Sequence, residues 1–135
     1  MIDAAPALVL VAEDDDELRY LIVRALRRDG HDVLAAADGV SLRAALDAAR
    51  KYGRDPDLIV SDVRMPGMSG LDVVRWLRDQ ECAIRTVLVS AFADDDMVHA
   101  ARALGVLHVL SKPFDLDDLR TVVLHLVSSA EGPQR

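Results

Sequence analysis

Short apolar runs alternate along this chain with longer stretches of helical periodicity. Leu8 to Ala12 is a continuous apolar run that stops at Glu13, the pattern of a strand covered on both faces. Leu18, Leu21, Ile22, Ala25 and Leu26 then recur at helical spacing, which predicts a helix capped at Asp16 and stopped at Gly30. Val33 to Ala36 is a second, short strand closed by the turn pair Asp38-Gly39. Leu42, Ala45, Leu46 and Ala49 mark one face of a second helix, opened by Ser41 or Asp38, with Lys51 in its last turn and Gly53 behind it. After the breakers Asp55, Pro56 and Asp57, the run from Leu58 to Val60 is a third strand that carries Asp62 at its end, just ahead of Pro66 and Gly67. A third helix from about Gly70 to Asp79 buries Val73, Val74 and Leu77. Thr86 to Val89 forms a fourth strand ending at Ser90, and a fourth helix follows Asp94 to Asp96 on Met97, Ala100, Ala101 and Leu104. Val106 to Leu110 is a fifth strand, followed by Lys112-Pro113-Phe114. A last helix from about Leu116 to Val127 turns Leu119, Val122, Val123 and Leu126 inward.

Strands that alternate with helices argue for an α/β fold, a parallel sheet with right-handed crossovers and helices on both faces. The chain has 135 residues, the size of one domain. The expected division is a single domain over 1–135, with a core at about 7–128 and a flexible tail at 129–135. There are no repeats and no low-complexity tracts. Composition then narrows the function. With 23 acids against 16 bases the net charge is −7, which disfavours nucleic acid as a direct partner and suits a basic protein surface or a bound cation. The single cysteine, Cys82, cannot form an internal disulfide, so a reducing compartment fits. The apolar stretch Ala4 to Ala12 lacks the basic start of a signal peptide, and no run approaches a membrane span. A cytoplasmic protein is expected.

The chemistry gathers at the strand ends. The first strand ends at Glu13 and Asp14, the third at Asp62, the fourth at Ser90 and the fifth just before Lys112. Were these strands neighbours, their ends would line one crevice, the place where open α/β sheets bind ligands. Like charges ~4 Å apart repel by about 4 kcal/mol at an effective dielectric near 20, so three clustered carboxylates call for a cation. All-oxygen ligands favour magnesium, with manganese as the alternative. A lone exposed carboxylate beside a metal, a lysine and a hydroxyl is an arrangement for phosphoryl transfer, because a carboxylate oxygen can accept phosphate covalently.

Four motifs in order, Val11-Ala12-Glu13-Asp14-Asp15, Ser61-Asp62-Val63-Arg64-Met65-Pro66-Gly67-Met68-Ser69-Gly70, Val89-Ser90-Ala91 and Lys112-Pro113-Phe114, resemble the receiver domains of two-component response regulators, chemotaxis receivers included. The likeness spans about Leu8 to Val127. It implies a flavodoxin-like (βα)5 three-layer sandwich with strand order 2-1-3-4-5; the strand order comes from the resemblance, not from periodicity. It implies that Asp62 is the phosphoacceptor, fed by a histidine kinase or phosphotransfer protein. Glu13, Asp14, Asp62 and the backbone carbonyl of Arg64 would hold the metal, with Asp14 as a direct ligand and Glu13 acting through water. Ser90 and Lys112 would steady the phosphoryl group, and the Lys112-Pro113 bond would be cis. Output would be protein binding through the face of the fourth helix, fifth strand and last helix, a face that also suits a homodimer. The fourth helix has a weak, alanine-rich stripe that suits two nearby packings. Two positions depart from the family pattern. Glu13 stands where Asp is usual, and Val109, beside His108, stands where an aromatic often takes part in the switch.

Plainer readings compete with these. Asp62 could merely form a turn, Ser90 could cap the next helix, and Lys112 could be a solvated charge. Asp94 to Asp96 reads as complementing the helix dipole. His31, His99, His108 and His125 show no ligand spacing, and Trp76 reads as packing. The Arg64 side chain is expected to overhang Asp62 and to affect phosphate lifetime, an idea that an unchanged dephosphorylation rate in Arg64→Ala would sink. Two rival functions remain. One is a magnesium-dependent phosphohydrolase working through an aspartyl phosphate. Such an enzyme needs an acid two residues after its nucleophile, and Arg64 cannot serve as one. The other is a docking module that is never phosphorylated. The first hypothesis is a signalling receiver, not an enzyme beyond its own phosphoryl transfer and dephosphorylation.

Overall fold

The computed structural model describes residues 6–80 and 82–128. The expected tail at 129–135 lies outside them. Ten elements alternate: β1 (Leu8–Ala12), α1 (Asp16–Arg28), β2 (Asp32–Ala36), α2 (Gly39–Lys51), β3 (Leu58–Asp62), α3 (Gly70–Asp79), β4 (Arg85–Ser90), α4 (Asp95–Ala103), β5 (His108–Ser111) and α5 (Leu116–Ser128). All strand pairs are parallel and the order is β2-β1-β3-β4-β5. The α/β fold and the strand order implied by the resemblance are both present.

Alternate side chains divide each strand between two helical layers. Leu8, Leu10 and Ala12 of β1 pack under α2 and α3 with Leu42, Leu46 and Leu77. Val9 and Val11 pack under α1 and α5 with Ile22, Leu26, Leu119 and Val123. A third cluster, Val63, Val74, Leu88, Ala101 and Val106, lies beneath α4. Both β1 and β3 are buried from end to end, which is why their sequences read as unbroken apolar runs. Burying one such Val, Leu or Ile side chain contributes roughly 1.5–3 kcal/mol. The central strands are therefore the rigid frame for whatever sits at their ends.

Several expectations at element ends need correction. Asp15, not Asp16, caps α1: its Oδ1 accepts the Leu18 N–H at 3.0 Å, while Asp16 pairs with Arg19. Leu21 is 43% exposed and Val23 is buried instead, because the buried stripe of α1 runs through Ile22, Val23 and Leu26. Of the two openings expected for α2, Asp38 is the cap, with its Oδ1 accepting the Ser41 N–H, and Gly39 is the first helical residue. A Cβ on Gly39 would lie 2.3 Å from the Met68 carbonyl oxygen, so the close approach of α2 to the loop after β3 requires glycine there. β5 begins at His108, not Val106. Gly105 takes a φ of +88°, and the Val106 N–H turns back to the Ala101 carbonyl, so Val106 serves the end of α4 while its side chain still enters the core.

Candidate acidic site at the strand ends

Parallel register sets the site. Ala12 lies opposite Ser61, Asp62 opposite Val89, and Ser90 opposite Ser111. Glu13, Asp62, Ser90 and Lys112 therefore emerge side by side at the carboxyl end of the sheet. Glu13 is fully buried: its N–H donates to the Ala36 carbonyl, its carbonyl accepts from Arg19, and its Oε2 accepts the Asp15 N–H at 3.1 Å. Asp62 is 4% exposed, and its Oδ1 accepts the Arg64 N–H at 3.2 Å. The Lys112 ammonium donates to Asp62 Oδ2 at 2.9 Å. The same nitrogen lies 2.8 Å from Glu13 Oε1, an ion pair by distance without hydrogen-bond alignment. Glu13 Oε1 thus keeps unfilled acceptor capacity deep in the site. Asp14 is exposed, and one oxygen each of Glu13, Asp14 and Asp62 lie within 4.8 Å of one another. Lys112 is anchored by its own N–H to the Ser90 carbonyl at 2.7 Å, and the Lys112-Pro113 peptide is cis.

Three carboxylates face one ammonium. Burial pushes the Glu13 carboxyl above the ordinary range, against the opposing pull of Lys112 and of the Asp15 N–H, and the nearby Asp62 charge pushes the same way. Burial opposes the charge on Lys112 as well, yet its contacts with Glu13 and then Asp62 hold it above the usual lysine value. Lys112 is therefore a firm cation, and the plain reading of a solvated charge does not describe it. One ammonium among three carboxylates leaves an excess of negative charge, all on hard oxygen donors. That donor set fits magnesium or manganese.

The other expected residues fall in several places. Ser90 is 2% exposed, and its Oγ accepts the Phe92 N–H at 3.0 Å. It does not cap α4; Asp94 does, with its carboxylate on the Met97 N–H, while Asp95 and Asp96 sit in the first turn, where the expected complement to the helix dipole lies. The Arg64 guanidinium lies 4.8 Å from the Phe92 ring centre, bridging the loops after β3 and β4. Val109 packs into the cluster beneath α4, registered with Leu88, while His108 is exposed, so the pair lies in β5 away from the acids. Trp76 is half-buried under the Arg43 guanidinium. Two features were not anticipated. Gly70 sits against the end of β3: its N–H bonds the Val63 carbonyl, and a Cβ there would lie 2.5 Å from the Asp62 carbonyl oxygen. Ser69 and Asp72 form a reciprocal capping box on α3, which a capping residue followed three positions later by a carboxylate signals in sequence.

A family model described as "Response regulator receiver domain" matches residues 9–124. The sporulation initiation phosphotransferase F of Bacillus subtilis is 30% identical over 115 residues, which is 85% of this chain and 89% of that protein. The sensor kinase CckA of Brucella abortus is 37% identical across 93% of this chain, but the match spans only 13% of the kinase. The transcriptional regulator NtrC of Salmonella typhimurium is 30% identical across 95% of this chain and 26% of its own length. Among solved structures, a response regulator receiver protein from Pseudomonas putida aligns with a TM-score of 0.80 at 31% identity, covering 91% of this chain and 99% of that one. The chemotaxis regulator CheY4 of Vibrio cholerae aligns with a TM-score of 0.79 at 28% identity, covering 90% and 98%.

Proposed function

Because the chain belongs to the response regulator receiver domain family, a module of two-component signal transduction, we propose that Asp62 is the residue on which it accepts a phosphoryl group. The observation that carries this reading is the Lys112 ammonium held between Asp62 Oδ2 and Glu13 Oε1, where the carboxylates of Glu13, Asp14 and Asp62 meet. The donor is a phosphohistidine on a kinase or phosphotransfer protein. An Asp62 oxygen attacks phosphorus, the P–N bond breaks, and the imidazole leaves with its electron pair. Glu13, Asp14, Asp62 and the Arg64 backbone carbonyl would hold magnesium, or manganese in its place. When bound, the metal supplies positive charge to the phosphoryl oxygens. Lys112 is already anchored at its backbone, so its ammonium can follow a new oxygen without reorganising the loop. Ser90 would release the Phe92 N–H and turn its hydroxyl to the phosphoryl group. That movement would bias the packing of α4 and alter the face of α4, β5 and α5, where a downstream protein or a second copy would bind. Val109 and His108 would sense the change through β5, with no aromatic side chain to swing.

Among the described residues no helix is long and apolar enough to cross a membrane. We place the protein in the cytoplasm, where its kinase partners present their phosphohistidines. The domain is a signalling module whose only chemistry is on its own carboxylate. Intact-mass spectrometry after incubation with acetyl phosphate and magnesium tests the assignment. The wild type should gain one phosphoryl group, and Asp62→Asn or added chelator should abolish the gain. A gain that survives in Asp62→Asn would place the acceptor elsewhere.

A further inference from the structure

At the amino ends of β1 and β2, the opposite end of the sheet from Asp62, a cleft of ≈ 630 Å³ opens beside the C-terminal ends of α1 and α2. Small-molecule sites span roughly 300–1,000 Å³. Leu8 and Ala49 line it as buried apolar surface, while Leu34 and Tyr52 stand 41% and 88% exposed within it. Two exposed large apolar side chains sharing one concavity are more telling than scattered ones.

Three nitrogen-bearing side chains border the same cleft. Arg54 has both Nη atoms engaged, one on Asp32 Oδ2 at 2.8 Å and the other on the Pro6 carbonyl at 2.7 Å, so it is held as a wall. Arg27 makes a single protein hydrogen bond among the described residues, from Nη2 to the Val33 carbonyl at 2.9 Å, and the rest of its guanidinium fork is unused. His31 is 8% exposed, and its Nε2 is buried with no hydrogen-bond partner. That nitrogen is closed off from solvent, so His31 contributes wall to the cleft and not a donor. Two arginines against Asp32 give the cleft an excess positive charge, on a chain whose net charge is −7.

We propose that this cleft binds a small monocarboxylate with an apolar body, its two oxygens held by the unused fork of the Arg27 guanidinium and its body laid on Leu34 and Tyr52. A carboxylate matches the planar fork that a guanidinium offers. A phosphate fits worse: its further oxygens and second charge exceed what one planar guanidinium fork matches and would lie against the apolar Leu34.

Titration of the isotope-labelled chain with phenylacetate, followed by amide chemical shifts, tests this. Saturable shifts centred on Val33, Leu34 and Tyr52 in the millimolar range are expected. Phenylacetamide, the neutral isostere, should bind at least about tenfold more weakly, as should Arg27→Gln with phenylacetate. Tyr52→Ala, at a position 88% exposed whose cap hydrogen bonds come from its backbone, should weaken both. Because Arg27 also holds the Val33 carbonyl, a dispersed spectrum of the variant is the check on its fold, and the acid–amide comparison in the wild type stands without it. Equal binding of acid and amide would overturn the proposal. So would shifts centred on Asp62 and Lys112, shifts that depend on protein rather than ligand concentration, or no saturation.

Discussion

At the scale of single residues, the acidic site is a case of charges that fold together against their own preference. Glu13 is buried beside Asp62 with its carboxyl pushed up, so burial disfavours its charged form and a neutral group would sit there more easily. Glu13→Gln should therefore raise the thermal midpoint of the metal-free protein by a few degrees, while weakening magnesium about tenfold or more. Calorimetry with and without magnesium reads both effects. A variant less stable without the metal would mean that the Lys112 pair outweighs the burial of the charge. This site was legible in the sequence because each member ends an apolar run, and in a parallel sheet run ends converge. The Arg64–Phe92 stack was not legible. It depends on how two loops from different strands lean toward each other, which no local pattern records.

At the scale of elements, the periodicity of Val73, Val74 and Leu77, or of Leu119, Val123 and Leu126, was enough to orient each helix, because the buried stripe is set by spacing alone. The ends were harder. Asp15 and Asp16 are both competent caps, and the sequence does not say which one finds a free N–H and which one finds Arg19. Val106 looked like strand and is spent on the turn, because tertiary burial rewards an apolar residue in a loop as readily as in a sheet. Gly70 joins an element to the site. A methyl group there meets the Asp62 carbonyl, a backbone atom that cannot rotate aside. Gly70→Ala should cost about 1–3 kcal/mol by overpacking. It should also slow phosphorylation by acetyl phosphate more than another substitution of equal thermal cost, since it moves the strand end that carries the acceptor. Equal slowing in both would reduce Gly70 to packing alone.

At the scale of the whole molecule, one ion-pair group joins distant parts of the chain. Arg120 of α5 donates to both Asp29 oxygens, at 2.9 and 2.7 Å, and to Asp117. Its hydrogen bonds hold the Asp29 carboxyl below the ordinary value of 3.8. A depressed carboxyl stabilises the fold above its unfolded value and loses that contribution as pH falls through its folded value. Asp29→Asn should thus lower the thermal midpoint slightly at pH 7, by no more than a partly exposed pair contributes. The two proteins should converge in acid; a difference that persists at low pH would mean the substitution acts through packing instead.

The helices do not share equally in the frame. α1 and α5 clasp each other through that pair, whereas α4 has nine residues and one fully buried side chain, Ala101. The molecule can be regarded as two cooperative units of unequal depth. Amide hydrogens of β1 and β3 would exchange only with global unfolding, while those of α4 would exchange through a shallower local opening. Hydrogen-exchange mass spectrometry should find that order. On the proposed function, a receiver built this way would keep Asp62 in the deep unit and its outgoing surface in the shallow one, so that surface could rearrange many times while the strand ends that hold the chemistry stay closed.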